Sequence, residues 1–182
     1  SAMKLILATR NYYLEYGLRL LLKECRVILA QEFFMPENRR VILDSKESWL
    51  IICDSQLGYL MRSMFQGRRF IQLDLEALKG GHDIHNAVRN RLWTWNKKAR
   101  ALTMSEMVVM FGYIYRQLRP SHLASEMRVN IKTVNTFLYS GLAKNGLKRS
   151  SVRLLAISEN KRIGHYSGAG QGNHAGGDTG CG

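Results

Sequence analysis

Proline, cysteine and acidic side chains are all scarce in this chain. Its 182 residues hold only two prolines, Pro36 and Pro120, so long stretches are free to run as unbroken helix or strand. Cys25, Cys53 and Cys181 are odd in number, widely spaced, and form neither a CxxC nor a Cys–His zinc pattern. That excludes a disulfide framework and leaves reduced thiols as the expectation. Apolar runs such as "WLIIC" and "LRLLL" are far too short for the ~20 residues of a membrane helix, and no signal-peptide pattern opens the chain. A cytoplasmic protein is expected. Ser1 and Ala2 read as residues left by cloning, with Met3 the expected native start.

Motifs of catalysis are missing too. There is no GxSxG, P-loop, GxGxxG or HExxH pattern. His82 and His85 flank a helix start without a partnering acid, while His165, His174 and Cys181 lie in a Gly-rich tail. "GAGQGNHAGG" has no strand before it and no helix after it, as a dinucleotide motif requires. No enzyme, cofactor or metal site is expected.

What is abundant is positive charge. Lys and Arg total 27 against 14 acids, a formal +13 with pI about 10.0, which favours a polyanionic partner, nucleic acid first. The imbalance is sharpest in "SHLASEMRVNIKTVNTFLYSGLAKNGLKRSS", where no acid follows Glu126.

Organisation changes along the chain. "KLILAT", "RVILAQEF", "RRVILDS", "SWLIICDS" and "RRFIQLDL" read as strands. "YYLEYGLRLLLKE", "QLGYLMRSMF" and "HDIHNAVRNRLWTW" read as helices, the first with Leu14, Leu18, Leu21 and Leu22 on one face. Apolar runs alternating with helices predict an α/β layer with a mostly parallel sheet. "NKKARALT" is a polar, basic connector, and beyond it the periodicity is helical throughout.

In that second region Thr103 and Glu106 form a capping box for a helix burying Met107, Met110, Phe111 and Ile114. Pro120 suits the first turn of a short helix turning Leu123, Ala124 and Met127 inward. "RVN" breaks it, and Asn130 caps a helix whose Ile131, Val134 and Leu138 share a face. A short helix, a tight turn and a second helix with a polar outer face predict a helix-turn-helix. On the outer face Lys132 can neutralise phosphate, Asn135 can pair with an adenine edge, and the Thr136 methyl can meet thymine. Thr133 and Tyr139 offer hydroxyls, and Lys144, Lys148 and Arg149 extend the positive surface. Periodicity alone equally allows a solvated face of an ordinary helical bundle.

"LASEMRVNIKTVNTF" resembles the core of the LuxR/NarL-type four-helix DNA-binding domain, roughly I-A-x-x-L-x-I-S-x-K-T-V-x-x-H. Leu123, Ala124, Met127, Val129, Asn130, Lys132, Thr133 and Val134 fall on its positions, with Phe137 in place of the His. "LTMSE" is similar to the family's L-T-x-R-E opening, and Lys144, Gly146 and Leu147 fit its K-L-G-V segment. Gly141 and Asn145 stand where the family has apolar residues. The resemblance implies base reading from Asn135, Thr136 and Tyr139, with Lys132 and Thr133 near the backbone.

The front half looks like the opening of the receiver domain that many such proteins carry. Thr9-Arg10 occupies the place of the acidic pair that would hold Mg²⁺, and Asp44 and Asp54 both end strand-like runs where a phosphoacceptor belongs. Too little sequence separates "RVILAQEF" from "RRVILDS" for a complete helix. The resemblance therefore implies a degenerate receiver-like α/β domain over 3–96, truncated and with a mostly parallel sheet. A linker over 97–101 leads to an all-α, four-helix helix-turn-helix domain over 102–163, and a Gly-rich tail covers 164–182. The expected function is a sequence-specific regulator of transcription that binds double-stranded DNA without aspartyl phosphorylation. It would act as a homodimer, or as a heterodimer with a related regulator, paired through Val152, Leu155 and Ala156 and through Ile84, Val88 and Leu92, unless these apolar residues complete each domain's own core, a reading as well supported for Val88 and Leu92. The alternative is a protein-interaction module with little DNA affinity of its own. No membrane partner is expected.

Overall fold

Strand-forming runs and their crossovers build the first layer. The structure is a computed structural model describing residues 3–21, 26–79, 81–90, 93–148, 150 and 152. Strands β1 (Met3–Ala8), β2 (Val27–Leu29), β3 (Ser48–Cys53) and β4 (Arg69–Asp74) form one parallel sheet in the order β2-β1-β3-β4. The register sets Leu5 opposite Val27, Met3 opposite Ser48, and Ser48 opposite Arg69. Strand β3, "SWLIIC", is buried at every position, which is why it reads as a continuous apolar run rather than an alternating one.

Alternation of side chains splits the strands between two packing faces. Leu5, Leu7, Leu50, Ile52 and Ile71 pack with Leu18 of α1 (Tyr12–Leu21) and with Ile84 and Ala87 of α4 (Gly81–Arg89). Ile6, Trp49, Ile51 and Phe70 belong to the other face. That face is covered by Phe34 after α2 (Ala30–Phe33), by Leu60, Met61 and Met64 of α3 (Gly58–Met64), and by α5 (Met104–Ile114).

Helix α5 joins the two regions of the chain. It buries Met107, Met110, Phe111 and Ile114 as its spacing predicts, but also Met104, Val108 and Val109. A helix apolar all round must be enclosed all round. It lies between the sheet layer and two further helices, α6 (Pro120–Met127) and α7 (Ile131–Lys144). The Phe34 and Phe111 rings stand 5.4 Å apart across this junction. One cluster of buried side chains thus runs from Ile6 to Leu142. The connector does not divide the chain into separate cores: Gly67, at φ 83°, lies so close to it that a Cβ would stand 2.7 Å from the Ala101 nitrogen. Only glycine fits that backbone and that contact. Beside it, Arg68 Nη2 donates to the Leu102 carbonyl at 2.7 Å.

Three expectations are corrected. "RRVILDS" is not a strand; Val41 to Asp44 are irregular and Ile42 is 93% exposed. The sheet ends at β2 on one side and β4 on the other, and this segment pairs with neither, so its β-branched residues stay irregular. "RVILAQEF" is strand only over Val27–Leu29 before turning into α2. Ile84 and Val88, expected as a pairing surface or as core, pack from α4 against the sheet's core and so take the second role. Leu22, Leu92, Arg149, Leu155, Ala156 and the 164–182 tail, with the expected fourth helix of the second region, lie outside the described residues.

Candidate nucleic-acid interface

Local signals set the frame that carries α7. Thr103 and Glu106 form a reciprocal capping box: the Glu106 amide donates to Thr103 Oγ1 at 3.2 Å and the Thr103 amide to Glu106 Oε1 at 2.8 Å. Pro120 takes the first turn of α6, and Leu123, Ala124 and Met127 are buried. A Cβ on Gly112 would collide with Leu123 Cδ2, so this glycine lets α6 approach α5. An Arg116–Glu126 fork, two contacts of 2.8 Å, ties the end of α5 to α6 and holds the Glu126 carboxyl below its ordinary range.

Arg128 ends α6 in the left-handed conformation, φ 55°, and the Val129 amide reaches back to the Ala124 carbonyl at 3.0 Å. Asn130 then caps α7, its Oδ1 accepting from the Lys132 amide at 2.6 Å. Val134, Leu138 and Leu142 are buried. Gly141 has a physical reason: a Cβ there would stand 2.9 Å from the Met110 sulfur. Ile131 does not share the buried face as expected; it is 50% exposed.

Lys132, Thr136 and Tyr139 are exposed on the side of α7 away from its buried positions, as expected. Thr136 commits its hydroxyl to the Lys132 carbonyl at 2.9 Å, which leaves the methyl for apolar contact. Thr133 and Asn135 are half-buried, and the Asn135 Oδ1 is buried without a hydrogen-bond partner. Lys148 is exposed beyond the helix end. Lys144 is a correction. Its ammonium turns inward to the Glu106 carboxylate at 2.6 Å and the Ala101 carbonyl at 3.3 Å, so it adds nothing to an external positive surface. Burial opposes ionisation of Glu106, but the Lys144 ammonium and the Thr103 amide outweigh it and hold the carboxyl below the ordinary glutamate range. Spacing along α7 carries no signal for this pair, whose members lie 38 residues apart.

The C-terminal edge of the sheet forms a second polar site. At the switch between β1 and β3, where ligands of such sheets sit, Asp54 accepts from Thr9 Oγ1 and from the Arg10 amide, each at 2.8 Å. Asp44 is in a loop, where its side chain caps the Lys46 amide at 2.9 Å, so Asp54 is the aspartate at the strand end. The Arg10 guanidinium covers the Tyr115 ring at 4.6 Å, linking this edge to the end of α5. Asp74, at the end of β4, has its carboxyl raised by burial and then by Asp54. Among the described residues no group of three or more potential ligands is placed to hold a metal ion. No helix among them is long and apolar enough to cross a membrane.

No protein-family model matches the chain, and no curated protein matches it. The chain is similar to a solved structure described as two RcsB dimers bound to two parallel DNAs. The identity is 18%, over 87% of this chain and 100% of that one, with a TM-score of 0.37.

Proposed function

We propose that the protein is a sequence-specific DNA-binding regulator of transcription. In this reading α6, the Arg128–Asn130 turn and α7 form a helix-turn-helix, and α7 enters the major groove. The observation that carries it is the division of α7. Val134, Leu138 and Leu142 seat the helix in the core, while Lys132, Thr136 and Tyr139 stand exposed together on a chain of net charge +13. A single helix fits the major groove, and a cation with hydroxyl, carboxamide and methyl groups is the usual set for reading base edges there. Lys132, Thr133 and Lys148 serve phosphates, with Arg149 beyond them. Thr136 and Tyr139 serve bases, and Asn135 joins them after a side-chain rotation that brings its carboxamide out.

No catalytic step is assigned. In this reading the α/β layer over 3–96 serves as a degenerate receiver-like domain, its strand-end Asp54 bonded to Thr9 and Arg10 rather than set beside an acidic pair. We therefore read regulation as independent of aspartyl phosphorylation, with dimers as the working form.

A protein-interaction module remains the second reading, favoured by α1, where Tyr12, Tyr13 and Tyr16 stand exposed beside Leu20. Titration of duplex DNA against salt separates the two. Under the first reading the full chain binds, and Lys132→Ala weakens binding to every sequence and flattens the salt slope by about 0.9. Absence of binding at low salt would leave the second reading.

A further inference from the structure

The loop after α2 meets the α6–α7 turn, and several bonds fix it there. Asn38 Nδ2 donates to the Glu32 and Phe33 carbonyls at 3.1 and 3.0 Å, closing the loop on its own helix. Ser105 Oγ donates to the Arg39 carbonyl at 3.0 Å, tying the loop to α5. Arg39 Nη1 donates to the Met127 carbonyl at 3.0 Å, capping the end of α6. Between loop and turn lies a cleft of about 360 Å³ whose charged lining is Glu37, Arg39, Arg40, Glu126 and Arg128.

Its charges do not cancel. Glu126 is already forked by Arg116. Arg39 uses one donor on Met127 and keeps the rest of its planar fork. Arg40 and Arg128 are exposed and have no ion-pair partner among the described residues. Glu37 alone thus opposes three guanidinium groups in a site whose walls are held by hydrogen bonds. Guanidinium forks match the tetrahedral oxygens of a phosphate, and a loop held in place beforehand lowers the cost of ordering on binding. Arg128 also sits in a left-handed conformation that glycine adopts more easily.

Position then selects the phosphate. Arg128 lies two residues ahead of the Asn130 cap, and Lys132 follows in the first turn of α7. Helices and turns that precede a reading helix run along the backbone bordering the groove. We propose that this cleft grips a backbone phosphate of the duplex that α7 reads, with Arg39 and Arg40 of the sheet layer acting beside Arg128. The inference rests on the α7 reading above. It gives the α/β layer a direct role in holding DNA, in a manner blind to sequence.

The test is duplex binding by the full chain over a range of salt, using Arg40→Gln, Arg128→Gln, the double variant, and Arg89→Gln on α4 as control. Thermal melting without DNA checks that each variant folds. Each single variant is expected to flatten the salt slope by about 0.9 and to weaken every sequence alike, the double by about twice that, and the control not at all. Wild-type binding with an unchanged slope in the double variant overturns the inference and leaves the α7 reading standing. Absence of duplex binding by the wild type overturns both. Inorganic phosphate that raises the wild-type melting temperature, but not that of the double variant, with DNA slopes unchanged, would assign the cleft to a free anion and overturn the assignment to DNA.

Discussion

Lys144 Nζ lies 2.6 Å from Glu106 Oε1, with the two side chains 12% and 3% exposed, and so joins the end of α7 to the start of α5. The same carboxylate oxygen receives the Thr103 amide, so the capping box of one helix and the last turn of another share an atom. The presentation of α7 therefore depends on a pair that touches no ligand.

Glu106→Gln should leave a buried ammonium without its counter-charge and cost about 3–5 kcal/mol, while Glu106→Gln with Lys144→Met should cost much less than the sum of the single changes. The Glu106 carboxyl is held below its ordinary value of 4.5 in the fold. Its contribution is thus complete above that value and is lost as pH falls through the lower folded one. Urea unfolding at neutral pH and below about pH 5 checks both points; the acid loss should be weaker in Glu106→Gln.

The two helix-contact glycines should respond differently to alanine. Gly112→Ala drives a methyl into the buried Leu123 side chain and is expected to destabilise by about 1–3 kcal/mol. Gly141→Ala meets the flexible thioether of Met110 and gains about 1 kcal/mol of helix propensity, so its net effect should be smaller. Chemical denaturation gives the order, and a costlier Gly141→Ala would refute the packing described.

These contacts also mark what could be read in the sequence. The capping box, Pro120 and Asn130 act within a few residues of themselves, so the starts of α5, α6 and α7 were legible. The apolar runs of β1, β3 and β4 were legible because both faces of each strand meet side chains. "RRVILDS" was not, because strand propensity is local, whereas whether a segment reaches a sheet edge is set by the tertiary fold. Lys144 reads as surface in the sequence, as a Lys on a basic helix does, because its partner lies 38 residues away. Ile131 has the right spacing but sits in the first turn, where α7 leaves it half uncovered. The cleft between the α2 loop and the α6–α7 turn joins residues some 88 apart, beyond any periodicity.

Incubation with a small phosphodonor and Mg²⁺ should leave the mass of the protein unchanged. Asp54 already accepts from Thr9 and the Arg10 amide, and Arg10 brings a positive charge to the end of β1, which opposes a divalent cation. A stable phosphate, present in the wild type and lost in Asp54→Ala, would contradict this.

Two copies are expected on each specific duplex. One α7 offers only Asn135, Thr136, Tyr139 and Lys132, and at about 1–3 kcal/mol of discrimination per good contact a single helix selects poorly among genomic sites. Sedimentation of the full chain alone and on DNA reads the stoichiometry; full affinity for a half-site by one copy would count against pairing.

Selection of bound duplexes from a random pool, by the wild type and by Asn135→Ala, tests the reading of α7 most directly. The wild type should enrich one sequence motif, and Asn135→Ala should lose preference at a single base pair of it, at a cost of roughly 1–3 kcal/mol. No enrichment by the wild type, or an identical motif from the variant at equal affinity, would contradict the placement of α7 in the groove.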